Sequence, residues 1–166
     1  MKLSITVLIV CLSMLFLPQQ TIAQQHQHVA AIVIDGSKNP ELIPDSTAFR
    51  HWLLMASVVP NAPNGDFVRQ QAEVSKLRLV DSEKLKLLTI LADFRSQYEA
   101  LIQQHNEQAQ AGKHPDINLL LQQRDSLVEA TRVNIRTILL PNNADKIENA
   151  VQAYKIQIKI QTSSNH

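Results

Sequence analysis

The chain has 166 residues, with 16 lysines and arginines against 15 aspartates and glutamates, and one cysteine. Near-neutrality excludes the basic footprint of a nucleic-acid or anionic-membrane binder at the level of net charge, and a single cysteine excludes an internal disulfide framework. Three glycines and 4% aromatics, beside abundant Leu, Ala, Gln, Glu and Lys, argue against a sheet sandwich with its frequent turn glycines and predict an all-α fold.

Residues 1–23 read as an export signal. Lys2 gives a positive start, Leu3 to Leu17 is an almost unbroken apolar run, and Thr21-Ile22-Ala23 places small residues at a signal-peptidase site. The run is shorter than the roughly 20 apolar residues of a membrane helix. Cleavage after Ala23 is therefore expected, giving a periplasmic or secreted protein without a membrane anchor. Cys11 would leave with the signal, and its neighbour Val10 is not the small residue that precedes a lipid-anchoring cysteine. With no disulfide available, one helical domain must be held by packing.

Residues 24–45 are expected to form an extended N-terminal arm. Val29 to Ile34 is β-branched and apolar and suits a strand, but no partner strand stands nearby, so an arm lying on the helices is favoured. The prolines at 40 and 44 hold the residues before them in extended geometry. The helical domain is then 46–166.

Asp45 is placed to cap a first helix over 46–59, with Phe49, Trp52, Leu53 and Ala56 at helical spacing. Asp66 is placed to cap a second over 67–79. Asp81 opens the longest, 82–111, which Gly112 should close in the left-handed conformation. Along it Leu87, Leu91, Phe94, Tyr98, Leu101 and His105 alternate four and three residues apart, the spacing of a coiled-coil seam. At 1.5 Å per residue this helix is about 45 Å long, more than the roughly 37 Å diameter of a compact chain of this size. The helix should therefore stick out or the molecule be elongated, and elongation means exposed groove surface.

Asp116 should cap a fourth helix, 117–139, whose apolar face is Ile117, Leu120, Leu121, Leu127, Val128, Thr131, Ile135 and Ile138. The short connection makes the pair an antiparallel hairpin, with Leu91, Phe94, Tyr98 and Leu101 meeting Leu120, Leu127, Val128 and Ile135. A fifth helix, 142–155, carries Ile147, Val151 and Tyr154. Residues 156–160 alternate with period two and suit either a strand or a prolonged helix.

For chemistry, a mature terminus Gln24-Gln25-His26, with His28 beside it, offers an amine, two amides and an imidazole in the square-planar set that Cu(II) or Ni(II) favours. Cyclisation of the terminal glutamine would remove that set. His105, His114 and His51 lack ligand spacing and read as hydrogen-bonded structural histidines. Arg124-Asp125 suits either a cross-helix ion pair setting hairpin register or an arginine reaching to solvent. No Gly-x-Ser-x-Gly turn, phosphate loop or His-Glu-x-x-His stands in the chain, so an enzyme is not expected and no cofactor is required. Phe49, Trp52, Tyr98 and Leu101 are the candidate residues of a binding groove, with core packing the alternative for helix-spaced aromatics.

The segment Leu139-Leu140-Pro141-Asn142-Asn143, behind a long amphipathic helix, resembles the Leu-Thr-Pro-Glu-Gln element of the small helical periplasmic proteins with LTxxQ motifs. Leu139 and Pro141 match, while Leu140, Asn142 and Asn143 depart from the pattern. The earlier copy would be Leu79-Val80-Asp81-Ser82-Glu83. Asp35 to Asp45 also looks like a segment near the start of uncharacterised exported bacterial proteins. The first resemblance implies a long helical hairpin and either an envelope chaperone or a metal-resistance sensor. Together these readings predict a non-enzymatic envelope binding or chaperone-like protein with protein or peptide clients along the hairpin groove, and leave room for a homodimer. The alternative is a Cu/Ni-responsive periplasmic protein.

Overall fold

The computed structural model describes residues 31–163. In chain order they form β1 (Ala31–Asp35), a 3-10 turn (Pro40–Leu42), α1 (Asp45–Ala56), α2 (Asn64–Lys76), α3 (Asp81–Gln110), α4 (Ile117–Ile138), α5 (Pro141–Tyr154), a second 3-10 turn (Lys155–Gln157) and β2 (Lys159–Ser163). The fold is helical, as composition predicts, with one small two-stranded sheet.

Local chemistry accounts for the ends of the long hairpin. Asp116 caps α4, accepting from the amides of Asn118 at 2.8 Å and Leu119 at 3.4 Å, and Gly112 follows α3 at φ 71°. Two other predicted caps do different work. Asp45 is the first residue of α1 and accepts from Lys155 Nζ at 2.6 Å and Gln152 Nε2 at 3.2 Å, tying α1 to the end of α5. Asp66 lies inside the first turn of α2, which begins at Asn64 behind Pro63, and holds Arg69 at 2.6 Å.

The expectation of a purely extended arm is corrected. Residues 31–35 are a strand, paired antiparallel with β2 in the register Val33–Gln161, Ile34–Ile160 and Asp35–Lys159. Its partner comes from the opposite end of the described chain, so a search among sequence neighbours misses it. The same pairing settles 156–160, where a 3-10 turn precedes a strand. Ile34, Ile158 and Ile160 pack on the core and Val33 faces solvent, the alternation that a sheet with one covered face requires. A Cβ on Gly36 would lie 1.8 Å from the Lys155 carbonyl oxygen, so only glycine fits where β1 leaves the sheet.

The core centres on α1. Its Phe49, Trp52, Leu53 and Ala56 are fully buried among Leu87, Leu91 and Phe94 of α3, Val128 and Ile135 of α4, and Ile147 and Val151 of α5. Only the base of the α3–α4 hairpin takes part. Between Phe94 and Val128 no residue is buried.

Candidate binding groove

One stripe runs the length of α4 through Ile117, Leu121, Val128 and Ile135, at spacings of four and seven that keep them on one face. Where α1 lies against the hairpin, Val128 and Ile135 are buried to 2% and 1% exposure. Beyond the reach of α1 the same stripe opens, with Ile117 at 52% and Leu121 at 38%. The α3 seam changes in parallel. Leu87, Leu91 and Phe94 are buried, whereas Tyr98, Leu101 and His105 are half-buried. Leu101 and Leu120 line one opening between the helices and Phe94 and Leu127 another, so the antiparallel seam is continuous while its cover is not.

The groove is thus filled by α1 at its base and uncovered, among the described residues, in its outer part. This reassigns the candidate groove residues. Phe49 at 1% and Trp52 at 0% exposure cannot line an open surface, because they belong to the helix that fills the groove. Tyr98 and Leu101 remain on its outer stretch. Gln104, Gln108 and Gln123 line the opening between the helices with Leu101 and Leu120, away from the Ile117 and Leu121 stripe, and accept or donate without imposing charge. A second apolar opening of about 300 Å³ lies between α2 and α3, lined by Val58, Val59, Pro60, Phe67 and Leu88.

Gln24, Gln25, His26 and His28 lie outside the described residues. Among the described residues no group of three or more His, Cys, Asp and Glu could hold a metal ion, and no helix is long and apolar enough to cross a membrane. His51 sits on α1 with its ring 5.7 Å from that of Tyr154. Burial first, and then neighbouring Arg50, hold its pKa below the ordinary histidine value. Arg124 grips its own neighbour Asp125 from Nε at 2.9 Å and Nη2 at 2.8 Å, and the cross-helix contact of that carboxylate is with Arg50 of α1 at 3.5 Å. The pair therefore ties α1 to α4 and leaves hairpin register to the apolar seam.

The ion network that sequence reading misses joins α4 to α5. Glu148 accepts from Arg132 at 2.9 and 2.8 Å and from Arg136 at 3.1 and 2.9 Å, and the Arg132 guanidinium lies 5.5 Å over the Phe49 ring. Burial alone would raise the Glu148 carboxyl, but the two arginines outweigh it and hold it below the usual glutamate range. Separately, Glu83 at the start of α3 is buried and accepts from the Leu140 amide at 3.0 Å and from the Asn143 side chain, bonding the opening of α5. The two motif-like segments of the sequence meet at that carboxylate.

No family model, curated protein or solved structure matches the chain.

Proposed function

We propose that this is a non-catalytic, chaperone-like binding protein of the bacterial envelope, whose clients present amphipathic helical segments to the outer half of the α3–α4 groove. The observation that carries the reading is the stripe of α4, buried at Val128 and Ile135 under α1 and open at Ile117 and Leu121. In its own core the protein already uses the binding mode in question: α1 lays an apolar face into the hairpin groove, and a client helix would extend that arrangement outward. The export reading of residues 1–23, with the resemblance of the segments around Leu79 and Leu139, supports a role in the envelope.

The test is suppression of aggregation of an unfolded exported client by the mature protein. Wild type should suppress at a few-fold molar excess. An Ile117→Ser, Leu121→Ser variant should lose most of that effect while each change shifts stability by no more than about 0.5 kcal/mol, as exposed substitutions do. Failure of wild type to suppress, or full activity in the double variant, would reject the groove as the client site.

A further inference from the structure

A two-stranded sheet leaves each strand one edge that pairs with nothing else among the described residues. The ladder decides which backbone groups stand on it. The Gly36 amide donates to the Ile158 carbonyl at 2.9 Å, and in an antiparallel pair hydrogen-bonded and non-bonded positions alternate. Continuing along the register, Ile34–Ile160 is a bonded pair, whereas Asp35–Lys159 and Val33–Gln161 are not. The N–H and C=O groups of Lys159 and Gln161 therefore point away from β1 towards the free edge of β2.

Protein sheets usually cover or blunt such an edge. Here it opens on a cleft of about 430 Å³ whose other wall is α1, a volume within the range of ligand sites. The four consecutive residues from Ile158 to Gln161 line the cleft. Successive side chains of a strand point to opposite faces, so an unbroken run of lining residues means that the edge, rather than one face, meets the cavity.

The opposite wall carries charge. Arg50 and His51 stand on it with Thr47 and Leu54. Arg50 reaches Asp125 only at 3.5 Å, while Arg124 holds the same oxygen from two nitrogens at 2.9 and 2.8 Å. Two guanidinium groups thus share one carboxylate, leaving a positive charge in excess beside the cleft. Burial first, and then Arg124, lower the proton affinity of Arg50, as that crowding requires. Lys159 adds a further, mostly exposed cation, paired with Asp35 at 3.3 Å.

We propose that this cleft takes an extended acidic peptide segment as a third strand, its backbone bonding Lys159 and Gln161 on the free edge of β2 and one of its carboxylates meeting Arg50. Apolar residues of the segment would lie against Leu54 and Ile160. The occupant is extended where the hairpin groove calls for a helix, so the two sites stand or fall separately.

The probe is a short end-blocked peptide of alternating valine and glutamate, titrated into the full-length mature protein with amide hydrogen exchange and chemical shifts as readouts. Saturable binding should slow exchange at Lys159 and Gln161, the amides aimed at the edge, and leave Ile160, already in the ladder, unchanged. Arg50→Ala should weaken binding roughly tenfold, the loss expected of one charge-assisted contact. Gln161→Pro, which removes an edge donor while sparing every bonded pair with β1, should abolish it and decides the matter if Arg50→Ala does not fold. A peptide with lysine in place of glutamate, or one N-methylated at alternate residues, should not bind. Absence of saturation at millimolar peptide overturns the proposal. So does unchanged affinity in Gln161→Pro. Displacement by equimolar inorganic phosphate without edge protection would reduce the cleft to a small-anion site, and edge protection that tracks protein concentration alone would assign it to a second copy of the chain.

Discussion

Burial and the neighbouring Arg50 both oppose protonation of His51. A folded pKa below 6.5 means that the unfolded chain takes up the proton first as pH falls. The stability that the neutral ring contributes is present above 6.5 and is lost as pH falls from 6.5 towards the folded value. The carboxylates behave likewise in a lower window. Hydrogen bonds from the Ser37 hydroxyl at 2.7 Å and amide at 3.0 Å, with Lys159 adding to them, hold Asp35 at about 2. Lys155 and Gln152 lower Asp45, and Glu148 is lowered on balance by its arginines. Their folded values lie below the unfolded 3.8 and 4.5, so that stability persists above those values and disappears as pH falls through the folded ones. Urea unfolding against pH should therefore show two separate declines on acidification, and His51→Gln should remove only the one beginning near 6.5. A first decline that survives in the variant would assign it to another group.

The elements divide the hairpin into a cemented base and an open outer half, and Phe94 marks the boundary. It is 1% exposed, its ring tilted at 40° to that of the half-buried Tyr98 with centroids 5.6 Å apart, and it is the last buried residue of α3. Phe94→Ala should cost about 3 to 5 kcal/mol in chemical unfolding, the usual range for removing a buried phenylalanine, and a loss below about 1 kcal/mol would mean that the seam is not packed there. The periodicity of α3 and α4, the turn at Gly112 and the cap at Asp116 were all legible because each is local: spacing, a left-handed glycine and a side chain two residues from its donors. What was not legible depends on elements far apart in sequence. Nothing near Val33 announces β2, nothing near Asp45 announces Lys155, and the spacing of Phe49 and Trp52 shows an apolar face without showing that α1 fills the groove. The same blindness covers Glu83, whose neighbours read as a helix start while its carboxylate serves α5.

At the scale of the whole molecule, the uneven cover of one hairpin is what joins stability to the proposed capture of clients. Around α1, four other helices and the small sheet bury a continuous apolar cluster. Past Phe94 and Val128, apart from the Arg50–Asp125 contact, the two helices bury their faces only against each other among the described residues, and an isolated pair in water retains helicity chiefly through the face it manages to bury. Such a region is low in local stability and accessible to a partner, which is the combination that capture of a client segment needs.

Native-state amide hydrogen exchange of the free protein tests this division most directly. The helical amides of α1, of α3 up to Phe94, of α4 from Val128 and of α5 should exchange only through global unfolding, with opening free energies close to the full stability of the domain. Those between Tyr98 and Leu127 should open locally, at clearly lower free energy and with little dependence on denaturant. Uniform protection along the whole of α3 and α4 would contradict the account, because it would mean that the outer groove is covered and offers no surface to a client.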